Sequence, residues 1–213
     1  MEELDILKKA WKKEENSFEQ VSEKQIYTML HQKSSSIVKW ILIISILEFV
    51  FWNVIAVGMS DDKYQAKLEA YGIARFMNII NVINYAVLIG FIYVFYKNYR
   101  SISTLDSTSN LMSSILKTRK TVKNYIWYNL IIIAVTIIIS IVMMFSHNAE
   151  LISMMEKQIN EGHKTLFMFI CIGISTLFIA AIIGLFWLFY RLLYGILLKK
   201  LFANYKELKK IEL

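Results

Sequence analysis

The sequence predicts an all-α protein, a four-helix transmembrane bundle whose helices extend into a cytoplasmic stalk. Three observations carry this. Four apolar runs, at residues 37–59, 77–96, 125–145 and 166–190, are each long enough to cross a bilayer, since about 20 helical residues cover a hydrocarbon core of ~30 Å. Pro is absent from the 213 residues and Gly numbers seven, so little interrupts long helices rich in Leu, Ile, Lys and Glu. Lys and Arg are unevenly spread: eighteen lie in residues 1–36, 97–124 and 191–213, and five in residues 60–76 and 146–165. Basic segments stay on the cytoplasmic side, so both termini and the middle loop are expected there.

The same asymmetry explains the net charge of +7 without a nucleic-acid partner. The basic segments would instead favour anionic headgroups. Cys171 is the one cysteine, which excludes an internal disulfide and Cys-based metal spacing. The abundance of Ile, Lys and Asn fits an AT-rich bacterial genome, and the expected location is a bacterial inner membrane. No cleavable leader is visible ahead of the first run, which is expected to act as an uncleaved signal anchor.

Residues 1–36 are expected to form cytoplasmic amphipathic helices. Leu4, Leu7 and Trp11 share one helical face. Ser22 and Gln25 form a capping box, with Val21 and Ile26 as its hydrophobic staple. The helix that follows carries Ile26, Met29 and Leu30 on one side and runs on into the first span. In the middle loop, Asp106 or Ser107 can cap a helix that enters the third span, with Leu111, Ile115, Thr118 and Val122 as its stripe. Residues 191–213 continue the fourth span as a tail. Tyr194, Leu198, Leu201, Tyr205 and Leu208 are spaced like a heptad seam. Two readings of these cytoplasmic faces stay open. Either they satisfy one another in a self-contained bundle, or Leu7, Trp11, Ile26 and Leu30, with Leu198, Leu201, Tyr205 and Leu208, form a surface for a soluble partner or a second copy.

Chemistry within the spans centres on Glu48, which lies eleven residues from either end of the first run. An ionisable group there costs at least ~2.5 kcal/mol and is by default a candidate site. At 1.5 Å per residue, Asn53 lies ~9 Å and Glu48 ~16 Å from the outer surface, and Asn81 and Asn84 of the second span lie ~6 and ~10 Å deep. A polar cluster of Glu48, Asn53, Asn81 and Asn84 is therefore expected in the outer half. It serves either as hydrogen-bonded glue around a neutral carboxylic acid, or as a proton or cation site. Tyr125 and Tyr190 are expected in the inner aromatic belt.

Catalytic signatures are missing. His31, His147 and His163 are scattered over both sides, and no Gly-rich phosphate loop, HExxH or nucleophile elbow occurs. No enzyme activity, metal or cofactor is expected. The segments LKKAWKKEE at residues 7–15 and IYTMLHQKSSSIVKWILIISILEF at residues 26–49 resemble a family of uncharacterised small four-span bacterial inner-membrane proteins. Some members carry an automatic carotenoid-oxygenase label, to which three scattered histidines lend nothing. Similar proteins are associated with neighbouring sigma-factor genes, which implies a membrane-bound regulatory role. The expected function is a non-enzymatic adaptor or regulatory protein; the alternative is a small transporter or channel built on Glu48 and the intramembrane asparagines.

Overall fold

The computed structural model describes residues 22–58, 66, 68–103, 107–147, 149–160 and 164–211. Leu7, Trp11, Val21, Asp106 and His163 lie outside them. The described elements are helices α1 (Glu23–Gly58), α2 (Ala74–Ser103), α3 (Thr108–His147), α4 (Ala149–Asn160), α5 (Lys164–Tyr190) and α6 (Ile196–Ile211), with a π-helical turn, Arg191–Gly195, between the last two. Four helical stretches, Glu23–Gly58, Ala74–Ser103, Thr108–His147 and Thr165–Lys210, are long and apolar enough to cross a membrane.

Local chemistry sets the ends. The capping box forms as the sequence requires. The Gln25 N–H donates to Ser22 Oγ at 3.3 Å, and the Ser22 N–H donates to Gln25 Oε1 at 2.8 Å. Behind it α1 runs through the three serines of residues 34–36 without a break. Helix α3 opens at Ser107, whose carbonyl accepts from the Leu111 N–H at 3.0 Å. Ahead of α2, Gly72 takes φ +69°. Its N–H donates to the Glu69 carbonyl and that of Ile73 to the Leu68 carbonyl, a Schellman closure that a residue without Cβ adopts at no steric cost.

The four long helices run up, down, up and down. Helix α2 packs on α1, α3 on α2, α5 and α6 on α3, and α6 closes the ring against α1. Buried residues recur at spacings of three and four: Leu30, Ser34, Val38, Ile41, Ser45 and Glu48 on α1, and Leu111, Ile115, Thr118, Val122, Tyr125 and Asn129 on α3. This is the seam of a coiled-coil-like bundle. It holds two apolar clusters. One gathers Leu30, Ile102, Leu111, Ile115, Leu201 and Leu208; the other gathers Ile41, Phe95, Val122, Tyr125, Tyr190 and Tyr194.

Among the described residues, the core is confined to one half of the bundle. We call this the basic end, because it holds the segments rich in Lys and Arg. In the apolar windows of the four spanning helices only 17, 6, 6 and 0 % of residues are buried, so these side chains face the surroundings rather than a protein core. Toward the far end, cavities of about 330 and 460 Å³ open between α3 and α5. Cys171 lines the first with Phe145 and Phe167, and Met144 lines the second with Phe178.

At the basic end the predicted partner surface turns inward. Leu30, Leu201 and Leu208 are 2, 0 and 0 % exposed, Ile26 and Tyr205 pack against the same cluster, and Leu198 packs against the other. Of the two readings, the burial of Leu30, Leu201 and Leu208 favours the self-contained bundle, with Ile26, Tyr205 and Leu198 half-buried at its edge. The physical reason is that four tethered stripes meet without the loss of translational freedom that docking a separate molecule costs.

Candidate functional site: a carboxyl caged by three tyrosines

Glu48 is 6 % exposed and is bonded by three phenols drawn from two other helices. Tyr190 donates to Oε1 at 2.7 Å, and Tyr125 and Tyr194 donate to Oε2 at 3.0 and 2.8 Å. An ionised carboxylate only accepts, and its two oxygens offer about four lone-pair sites, so three O–H donors meet its needs without a Lys or Arg. A neutral acid brings a hydrogen of its own into this cage, and one phenol must then turn to accept it. The rings also support one another. Tyr125 lies edge-on to Phe95, Tyr190 and Tyr194, and Tyr190 stacks on Tyr194 at 6.2 Å and 26°.

The π turn helps to place the last two phenols. Four residues make slightly more than one turn of an α-helix and slightly less than one turn of a π-helix. The change of winding at Arg191–Gly195 brings Tyr190 and Tyr194 into line on one carboxyl. Arg191 itself points outward, its Cζ 5.1 Å from the Trp187 ring centroid. Asn129, beside Tyr125 on the seam, donates to the Tyr125 carbonyl at 2.9 Å.

The structure does not gather the four residues expected to cluster. Asn53 donates to the carbonyl of Phe49 in its own helix at 2.7 Å. Asn84 accepts from the Tyr128 hydroxyl at 3.0 Å, and Asn81 is exposed. Thr136, Ser140 and Thr176 likewise donate to carbonyls of their own helices. The residues that do meet Glu48 are Tyr125 and Tyr190, expected in the aromatic belt, and Tyr194, expected in the tail seam. They are 3, 2 and 0 % exposed and do not face headgroups. The reason is geometric. Side chains lean toward the N-terminus of their helix. Helix α1 leads away from the basic end, so Glu48 leans back toward it. Helix α5 approaches the basic end, so Tyr190 and Tyr194 lean to meet Glu48. Spacing carried a signal here, since two tyrosines four apart share a helix face.

Other polar groups line the seam nearer the basic end. Asn204 donates to Ser34 Oγ at 3.1 Å, and Thr118 donates to the Ser114 carbonyl at 2.9 Å. Asn98, 5 % exposed, has a buried Nδ2 with no hydrogen-bond partner. His31 Nε2 lies 2.7 Å from the Ile102 carbonyl in the last turn of α2. A carbonyl only accepts, so this ring nitrogen carries the hydrogen.

Residues 24–213 match a family described as a domain of unknown function, DUF8845. The chain belongs to this family. The match agrees with the expectation of an uncharacterised family, and it takes in the second of the two segments that carried the resemblance. Neither the curated proteins nor the solved structures gave a match. The DUF8845 region therefore holds the tyrosine cage and all of the described bundle from Lys24 onward.

Proposed function

We propose that this DUF8845 protein is a non-enzymatic adaptor or regulatory protein of a bacterial inner membrane, with both termini in the cytoplasm. The observation that supports this most is continuity. The four long helices leave the apolar stretch and pass unbroken into a closed bundle with its own core. Such a bundle is a rigid platform at the membrane surface. Its outer faces carry exposed Lys24, Lys33, Lys117, Lys120, Lys206 and Lys209, together with exposed Met29 and Leu116. A partner would read these outward groups and not the buried seam. Affinity purification from native membranes tests the reading. A stoichiometric soluble protein should co-purify, and removing residues 1–21, which leaves the described bundle whole, reports whether that segment contributes. Recovery of homo-oligomers alone counts against an adaptor.

One observation favours a transporter as the second reading. The buried carboxyl of Glu48 lies where the core stops and the loosely packed half begins. Flux in liposomes that disappears on Glu48→Gln replacement supports that reading, and unchanged folding and phenotype on the same replacement removes it.

A further inference from the structure

We propose that the groove between α3 and α6 is a binding site for the phosphate of an anionic phospholipid. Arg119 is its centre. The guanidinium carbon lies 4.0 Å from the centroid of Phe202, and Nε is buried with no hydrogen-bond partner. Phe202 is itself stacked on Tyr205 at 5.7 Å and 8°, so the ring beneath the guanidinium is fixed. Lys206 Nζ stands 5.2 Å over the same ring. A guanidinium held over a fixed ring has less freedom left to lose, and its two outer nitrogens can match phosphate oxygens in pairs. Lys123, one turn along α3 from Arg119, and Lys199, one turn along α6 from Phe202, are exposed beside it. Glu23 and Glu207 are the only carboxylates among the described residues of 22–39, 97–124 and 191–211, so the groove has little internal competition for its cations.

Depth selects the source of the phosphate. Tyr125, Tyr194 and Glu48 share one layer. Arg119, Phe202 and Trp40 each lie six to eight residues from that layer toward the basic end, which is ~9–12 Å at the rise of a helix. The groove is thus level with Lys39 and with Trp40, which is 55 % exposed. An outward Trp beside Lys is the pairing that marks a bilayer boundary. About two to three turns toward the far end, Trp127, Leu192 and Ile196 are exposed and offer apolar surface to the acyl chains of the same lipid. A soluble acidic peptide has no use for that surface.

The proposal requires only that the four helices cross a bilayer; it does not depend on the adaptor reading or on orientation in the cell. The full chain is placed in nanodiscs of phosphatidylcholine, with and without phosphatidylglycerol. Retained lipid is read by native mass spectrometry and melting by fluorescence. Phosphatidylglycerol should be retained and should raise the melting temperature. Arg119→Gln should weaken retention at least about tenfold, the factor set by losing one charge-assisted pair. Phe202→Leu should weaken it as well, while Lys24→Gln, outside the groove, should not. Phe202→Leu and Lys123→Gln carry the test if Arg119→Gln fails to fold in phosphatidylcholine. Undiminished retention by the groove variants overturns the site. Equal stabilisation by inorganic phosphate, or displacement by soluble polyglutamate, overturns the assignment to lipid.

Discussion

Tyr194 donates a 2.8 Å hydrogen bond to Glu48 across 146 residues of sequence, and so ties the first long helix to the last. With Tyr190 and Tyr125 it turns an isolated carboxyl into the hub of three helices. Replacing Tyr194 by Phe removes one donor and leaves the other two. The expected loss is about 1–3 kcal/mol, the range for leaving a buried hydrogen-bonding group short of a partner. Thermal unfolding in detergent measures it, and an unchanged melting point for all three Tyr→Phe variants would show that the cage does not hold the helices.

Glu48 is predicted to be more sensitive than any one phenol. Glu48→Leu strands three donors at once and should cost about 2–5 kcal/mol. Adding Tyr190→Phe and Tyr194→Phe to Glu48→Leu should recover part of that loss, because the stranded hydroxyls are then gone. The expected non-additivity is about 0.5–3 kcal/mol for residues in one network. Simple additivity in the same unfolding assay refutes a shared network. Glu48→Gln should fall between wild type and Glu48→Leu, since its amide brings N–H donors to a site already full of donors.

Leu201 separates a core seam from a docking seam. It is fully buried against Leu30 and Ile115. Leu201→Ala should therefore lower stability by about 2–5 kcal/mol even in the purified protein. Leu188→Ala, at a position 52 % exposed, should change it little. If Leu201→Ala melts like wild type but loses a partner, the seam belongs to that partner.

Asn98 offers a gain. Its buried Nδ2 has no partner, and an unmet buried donor costs about 1–3 kcal/mol. Asn98→Leu, which keeps the branched heavy-atom skeleton, should raise the melting temperature. A drop would reveal an acceptor that Nδ2 uses.

His31 fixes the end of α2 through the Ile102 carbonyl at 2.7 Å. His31→Ala should cost about 1 kcal/mol and speed amide exchange near residues 99–103. Exchange unchanged there would mean that the carbonyl finds water as readily.

Fold and site differed in how well the sequence exposed them. The four apolar runs, the absence of Pro, the Ser22–Gln25 cap and the stripe from Leu111 to Val122 are local signals, and each is realised locally. The cage is not local. Counting residues from the ends of each run placed Glu48 beside Asn53, Asn81 and Asn84, because counting follows backbones and ignores the lean of side chains in opposed helices. The asparagines also had a nearer option that composition conceals. Asn53 bonds a carbonyl one turn back and needs no neighbour. The tail seam was visible as spacing, but spacing alone does not say whether Leu201 and Leu208 face kin or stranger.

The unbroken passage from α5 through the π turn to α6 has a mechanical consequence. This rod runs from Lys164 to Ile211, about 70 Å at 1.5 Å per residue. It is gripped near its middle by Glu48 and is loosely held beyond. Its two arms are therefore unequal: a thinner or thicker bilayer is met by tilt of the loose arm, while Leu201 and Leu208 hold the other arm in the core of the bundle.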